Sequence, residues 1–363
     1  MGLKRFLIVI DGTYGEGGGQ IIRTALSLAV VLNQPIRLEN IRAKRKNPGL
    51  AAQHLTAVRA AAMICDAELE GDELGSTRLT FVPRVQPIPG IYEFNVADAR
   101  QGGSAGSATL VLQTIFLPLA LAQQPSEVTI KGGTHVAWSP SFHYVRDVYL
   151  PTLAELGLTG RAELRAWGWY PAGEGEIKVE ISGQVRINDH AGRLRTERGP
   201  LRQISGIAVA SSLPAHIAQR MRNRAMNLLQ EAQLPAAIEP RRVRSVTPGA
   251  GIFLVATYGD GHGSRVGFGA LGKVGKPAEQ VAEEAVADLL AFHKSGAALD
   301  KYLVDQLILP VASLGLPIAL HAEQLTTHTL TNIWVVEQFF GTVTTVDHRR
   351  KIVVFEQRDK ITI

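Results

Sequence analysis

The chain has 363 residues, too many for one simple core, so two domains or one large domain with an insertion is expected. A lone cysteine, Cys65, excludes a disulfide framework, the lack of C-x-x-C and H-E-x-x-H motifs argues against a zinc site, and no apolar run is long and clean enough to span a bilayer. The 45% hydrophobic and 20% charged content fits an ordinary soluble enzyme, while a net charge of +5 and a pI near 9.3 favour a polyanionic partner such as nucleic acid. Lys4-Arg5 lead straight into an apolar run without a signal-peptide pattern, so a cytoplasmic location is expected.

In chain order, the patterning predicts a strand over 5–10, a helix over 20–32, a strand over 35–40, a helix over 50–65 and strands near 67–71 and 78–82. The same order then returns: strand 91–96, helix 107–122, strand 127–131, helix 142–156, and strands near 161–167 and 176–183. Each block carries a glycine-rich loop before its first helix, Asp11–Gln20 and Gln101–Ser107, which reads as an internal repeat of pattern. From Val185 to Pro200 the chain turns polar and strand-poor. A separate unit follows, with strands 203–210, 236–243, 252–258 and 264–269 and helices 213–231 and 277–294. From Leu299 the repeat resumes with its first strand replaced or moved: helix 299–314, strand 317–321, helix 327–340 and strands 342–347 and 351–357. Half-buried strands with helices on one face give α+β layers.

The loop Asp11–Gln20 places five glycines between a strand and a helix, where packing alone does not account for them all. Glycine lets a ligand approach the backbone, and the helix N-H groups beyond would face an anion. Glu16 beside a phosphate makes sense with a divalent cation between them. After the second strand, Arg42, Lys44, Arg45 and Lys46 cluster in one loop, followed by Gln53 and His54, and Arg23 joins them if it faces out of its helix. Tyr302, Asp305 and Gln306 fall on one helix face, suited to stacking and hydrogen bonding a nucleoside. Thr326 or Thr327 caps the last long helix, placing His328 in its first turn, where the helix dipole favours a neutral, nucleophilic imidazole. Gly267–Val274 nearly fits a phosphate-binding G-x-x-x-x-G-K-[ST] loop, but Val274 stands where a hydroxyl is required. Arg220, Arg222, Arg224, Arg241, Arg242 and Arg244 form a basic face that reads equally well as solvated surface or as an RNA contact.

Taken together, Asp-Gly-x-x-Gly-Glu-Gly-Gly-Gly-Gln at 11–20, Arg-Ala-x-Arg-x-x-Pro-Gly-Leu at 42–50, Gly-Ser-Ala-Gly-Ser at 103–107, Tyr-Leu-x-Asp-Gln at 302–306 and His-x-Leu-Thr-Asn at 328–332 resemble the RNA 3′-terminal phosphate cyclases. The resemblance covers nearly the whole chain. It implies three βαβαββ repeats like the C-terminal domain of a translation initiation factor, over 1–187 and 298–363, with a smaller α/β domain inserted at 188–297. It implies that His328 takes AMP from ATP, passes it to an RNA 3′-phosphate, and that the 2′-hydroxyl then closes a 2′,3′-cyclic phosphate. By the same resemblance Glu16 would bind Mg²⁺ or Mn²⁺, and Gln113, Tyr302, Asp305 and Gln306 would hold the adenylate. Arg23, Arg42, Arg45, Gln53 and His54 would hold phosphates of ATP or of the RNA end. A homodimer is among the expectations. Tyr14, His135 and Trp138 depart from the family pattern close to the expected site, which points to an altered RNA-end or nucleotide preference. A non-catalytic cyclase-like scaffold would lack His328, and an enolpyruvyl transferase would need neither His328 nor the arginine loop.

Overall fold

The structure, a computed structural model, describes residues 6–99, 104–186, 196–259 and 263–358. Gly102 and Gly103 of the second glycine loop, Lys4-Arg5 and the expected boundary at 187/188 lie outside the described residues. The molecule is mixed α/β, built from several small sheets with helices packed on them.

The first sheet has the order β1-β2-β4-β3, from β1 (Ile8–Asp11), β2 (Ile36–Glu39), β3 (Glu68–Glu70) and β4 (Leu79–Val82). β1 and β2 are parallel, and the remaining pairs are antiparallel. Helices α1 (Gly19–Val31) and α2 (Ala52–Met63) make the crossovers. The second sheet has the order β5-β6-β8-β7, from β5 (Ile91–Asn95), β6 (Ser126–Gly132), β7 (Gly160–Ala166) and β8 (Gly175–Ile181), again with only the first pair parallel. Its crossover is α3 (Ala108–Leu121). β6 and β8 alternate buried and half-buried residues, so one face meets helices and the other faces outward.

The helix expected over 142–156 is three pieces: α4 (Phe142–Tyr144), a π turn (Val145–Tyr149) and α5 (Leu150–Glu155). Pro151 has no N-H to continue the ladder, and the Leu150 amide bonds the Val145 carbonyl five residues back. Pro118 inside α3 likewise leaves the Thr114 carbonyl without its helical donor, and the Ser27 hydroxyl of α1 donates to it instead. A sequence-level break in one helix is thereby a tie between two.

A third sheet, with the order β10-β9-β11-β12, uses β9 (Leu201–Ser211), β10 (Ala236–Val243), β11 (Gly249–Tyr258) and β12 (Arg265–Leu271). It is backed by α6 (Ala215–Glu231) and α7 (Ala278–Ser295), around a separate hydrophobic cluster that includes Met221, Leu254 and Phe292. The last sheet has the order β13-β15-β14, from β13 (Ala319–His321), β14 (Thr344–Asp347) and β15 (Ile352–Phe355). Leu299 adds a single parallel bridge to Ala322 where a first strand would run. Helices α8 (Lys301–Leu314) and α9 (Thr327–Phe340) precede and follow β13. Residues of α1, α2, α3 and α8 share one large core with the first, second and last sheets.

Gly267 and Gly269 sit inside β12, paired with Val255 and Phe253 of β11. A Cβ on Gly267 would meet Tyr144 and Val148 at 2.8 Å, so these glycines serve packing and form no phosphate loop. The basic face of this unit is largely spoken for: Arg220 pairs with Glu279, Arg224 with Glu283 and Arg241 with Glu239. Among the described residues, no helix is long and apolar enough to cross a membrane.

Candidate active site

A cleft of about 1260 Å³ is lined by Glu16, Arg23, Arg42, Arg45, Gln53, His54, Gln113, Tyr302, Asp305, Gln306 and His328. The structure therefore brings every sequence-predicted site residue to one cavity, from seven separate elements or loops. Gly18, Gly19 and Gln20 at the start of α1 also line it. Gly18 caps α1 without a side-chain hydrogen bond, which leaves the N-H groups of that end available to an anion.

Thr326, not Thr327, caps α9, its hydroxyl accepting the Thr329 amide at 3.0 Å. His328 follows in the first turn, half-exposed, with Nε2 3.4 Å from Glu16 Oε2. The same Glu16 oxygen accepts a hydrogen bond from Arg45 Nη2 at 3.1 Å. Burial lowers the His328 pKa, Glu16 raises it, and Arg23 and Arg45 lower it further. The neutral imidazole expected from the helix dipole is thus favoured first by desolvation and by two arginines.

Asp305 is 7% exposed, and its Oδ1 accepts from the hydroxyls of both Thr326 and Thr329. Burial pushes its carboxyl up to about 7. Its carbonyl accepts from Asn332 Nδ2 at 2.6 Å, and Asn332 Oδ1 accepts from Thr24 Oγ1 at 2.7 Å. Asp305 thus braces the turn of α9 that carries His328, in addition to lining the cleft. Gln113 Nε2 donates to Gln306 Oε1 at 2.5 Å, and Gln306 Nε2 donates to the Tyr302 carbonyl at 2.8 Å. Tyr302 itself is 48% exposed, with Lys301 Nζ 5.2 Å from its ring centroid.

The arginines differ in setting. Burial lowers the Arg23 guanidinium to about 10. Arg42 donates to the Gly49 carbonyl at 2.7 Å, and Arg45 is exposed apart from Glu16. His54 is 5% exposed and held neutral, its pKa pulled down to about 3 by burial and by Arg23 and Arg42. Its Nδ1 accepts from the Ala51 amide. Gln53 Oε1 accepts the Ser107 amide at 3.0 Å, which ties the second glycine loop to α2.

The first glycine loop reads differently in three dimensions. A Cβ on Gly19 would come within 2.1 Å of His54 Nε2. Gly15 has φ +55° and would meet Thr331 Oγ1 at 2.3 Å. Close packing against the protein therefore accounts for glycine at these two positions of the five. Tyr14 stacks on Trp334 of α9 at 4.0 Å between ring centroids, and Lys44 Nζ donates to the Gly15 carbonyl at 3.0 Å. His135 does not line the cleft, contrary to the expectation from its sequence position. It is 1% exposed, packed on Trp167, Trp169 and Phe253 and hydrogen-bonded to His143.

Sequence reasoning missed Asp300. Fully buried, it caps α8 by accepting the Tyr302 and Leu303 amides at 2.9 Å, and it also accepts from Tyr144 Oη and the Gly267 amide. Burial raises its pKa to about 6 despite those donors. An Asp two residues before Tyr302 is an N-cap signal that could have found it.

Among the described residues no group of three or more His, Cys, Asp or Glu side chains could hold a metal ion. Glu16, whose contacts here run through Oε2, fits a hard cation whose other ligands are substrate oxygens, and not an all-protein cage.

The family model for RNA 3′-terminal phosphate cyclase matches residues 14–346. An RNA 3′-terminal phosphate cyclase from Trichormus variabilis is 50% identical over 347 residues, covering 96% of this chain and 98% of the relative. The one from Methylococcus capsulatus is 52% identical over 333 residues (92% and 91%), and the one from Pyrococcus furiosus 39% over 338 residues (93% and 94%). With a family match along most of its length, relatives at half identity and His328 beside Glu16 in a basic cleft, the chain belongs to the RNA 3′-terminal phosphate cyclase family.

Proposed function

We propose that this enzyme converts an RNA 3′-phosphate to a 2′,3′-cyclic phosphate at the expense of ATP, through a covalent adenylate on His328. The observation that carries the reading is the His328 imidazole, kept neutral by burial and two arginines, beside Glu16 in a cleft that Arg23, Arg42 and Arg45 make cationic. In the first step His328 Nε2 attacks the α-phosphorus of ATP, a P–N bond forms, the bond to the β-phosphate oxygen breaks, and pyrophosphate leaves. An oxygen of the RNA 3′-phosphate then attacks the adenylate phosphorus, the P–N bond breaks, and RNA-(3′)pp(5′)A forms with His328 restored. Finally the 2′-hydroxyl oxygen attacks the 3′-phosphorus, its proton is released, and AMP departs.

The chain's residues divide this work. Arg23, Arg42 and Arg45 hold phosphates, with bidentate contact open to the guanidinium groups. Tyr302 stacks the adenine, with Gln113 and Gln306 presenting amides beside it. Asp305 fixes the α9 cap and so the direction of His328. Mg²⁺ or Mn²⁺ at Glu16 would supply charge neutralisation on the triphosphate oxygens. In this reading the three sheets built around the large core are repeats of one βαβαββ unit over 1–187 and 298–363, and residues 188–297 are an inserted domain. The shared sheet orders support it.

The test is covalent labelling. Protein free of AMP, incubated with α-labelled ATP and Mg²⁺ or Mn²⁺ and then denatured, should retain label that is acid-labile and alkali-stable. His328→Ala should carry none. Wild-type protein that takes up no label would overturn the reading.

A further inference from the structure

The segment between β6 and α4 forms one wall of the cleft, with Trp138 in its turn. The Trp138 side chain is 99% exposed, whereas Trp169 is 4% exposed and Trp167 and Trp334 lie against other rings. Its backbone sits at φ +64°, a left-handed conformation that bulky residues rarely adopt. Such a conformation persists only when its surroundings over-determine it. Here Ser139 Oγ donates to the Val136 carbonyl at 3.0 Å, and Thr109 Oγ1 of α3 donates to the Pro140 carbonyl at 2.7 Å. The turn is pinned on both sides of a ring that points at nothing in the protein.

The cleft is also larger than one ligand needs: about 1260 Å³ against roughly 300–1,000 Å³ for a typical small-molecule pocket. Its charge is uneven. The arginines around His328 are only partly committed, Arg45 alone touching a carboxylate there. Elsewhere on the lining, Arg146 and Arg241 each make two hydrogen bonds to one carboxylate, Asp147 and Glu239. Phosphate is favoured at the first place, and Trp138 adds an exposed ring to the same lining. A single-stranded RNA end carries that sequence of groups, with phosphate at the terminus and bases behind it. Tyr302, on the helix that braces the His328 turn, already offers a ring for adenine.

We propose that Trp138 is a stacking platform for a nucleobase of the RNA substrate, behind the 3′-phosphate that the arginines receive. This rests on the cyclase reading for the identity of the substrate. Stacking of this kind tolerates any base, so the subsite would secure the strand without selecting a sequence.

The experiment uses the full chain and short 3′-phosphorylated RNAs carrying 2-aminopurine at the last or the preceding nucleotide. Wild-type protein should quench one of these probes, Trp138→Phe should retain most of the effect, and Trp138→Ala should lose it. In steady state, Trp138→Ala should raise the KM for RNA by roughly 5- to 100-fold, as loss of one stacked base does elsewhere. Unchanged quenching and KM for RNA in Trp138→Ala would overturn the proposal. So would an equal rise in the KM for ATP during RNA-free labelling of His328, which would assign the ring to adenine. Failure of wild-type protein to label His328 would instead sink the cyclase reading, because probe quenching reports binding without catalysis.

Discussion

One oxygen of Glu16 faces both Arg45 and the His328 imidazole, so its charge opposes the burial and the arginines that hold the ring neutral. Glu16 raises the His328 pKa against the lowering by burial and by Arg23 and Arg45. Attack requires the deprotonated ring, so the rate of adenylylation should fall as pH drops through that pKa. Removing the Glu16 charge removes the raising influence and leaves the lowering ones. In protein without metal, Glu16→Gln is therefore expected to lower the His328 pKa further; with ATP and metal it should slow adenylylation, because the proposed cation ligand is gone. The measurements are an NMR titration of His328 in metal-free protein and the rate of covalent labelling with metal, and an imidazole that titrates as in wild type would show that Glu16 does not act on His328. At this scale the sequence was most informative about polar side chains with a helix position: a threonine cap predicts where His328 stands, as the structure bears out. It said little about what each side chain would touch. Asp305 and Gln53 read as ligand-binding groups, yet the folded chain also gives each a structural hydrogen bond, to the α9 cap and to the Ser107 amide.

At the scale of elements, the glycine loop and α9 operate as one piece. Tyr14 stacks on Trp334 with an interplanar angle of 7°, Gly15 packs on Thr331, and Gln20 Nε2 donates to the His328 carbonyl. Glu16 lies between these contacts, so the clasp holds its carboxylate near the imidazole. An aromatic pair of this kind contributes about 0.5–1.5 kcal/mol beyond its buried area. Tyr14→Ala should lower unfolding free energy by at least that amount, about 1 kcal/mol, and slow adenylylation more than it raises the KM for ATP. Tyr14→Phe keeps the ring and should restore both. Denaturant melts and labelling kinetics on the two variants check this, and a Phe variant as impaired as Ala would show that the stack is not the cause. The elements themselves were legible, since apolar periodicity and caps are local, and their observed ends lie within a few residues of the expected ones. The 142–156 segment is the exception. Its apolar spacing is helical, but Pro151 removes one donor and shifts the ladder into a π turn.

Across the whole molecule, the unit of β9–β12 has its own apolar cluster and meets the rest through a few deeply buried contacts. Trp169 packs with Ile207, Val209 and Phe253. Asp300 receives Gly267 from β12 and Tyr144 from α4 while capping α8. Helix α8, which lines the cleft, is thus fixed by the same carboxylate that secures β12. Truncating the large ring at this junction should be costly: Trp169→Ala is expected to destabilise by about 3–5 kcal/mol, within the range for buried aromatic deletions. Equilibrium urea unfolding measures it, and a loss below ~1 kcal/mol would mean the junction contributes little to stability.

The sequence by itself determined the order and, outside 142–156, the kind of the elements, a threonine cap for α9, and, with the family resemblance, the set of residues that converge on the cleft. These are read from periodicity, from turn and cap chemistry, from motifs whose residue types carry their own reactivity and, for Gln113, from the resemblance alone. Only the tertiary structure decided that Glu16 sits against a histidine from the far end of the chain, in contacts that span 308 positions such as Thr24 with Asn332. It alone sent His135 into an aromatic core, left Trp138 in the cleft, and paired Arg220, Arg224 and Arg241 of the arginine face with glutamates. The physical reason is the range of the forces. Backbone preferences act over a turn or two of chain, whereas burial, ion pairing and ring stacking depend on which distant segments the hydrophobic core brings together.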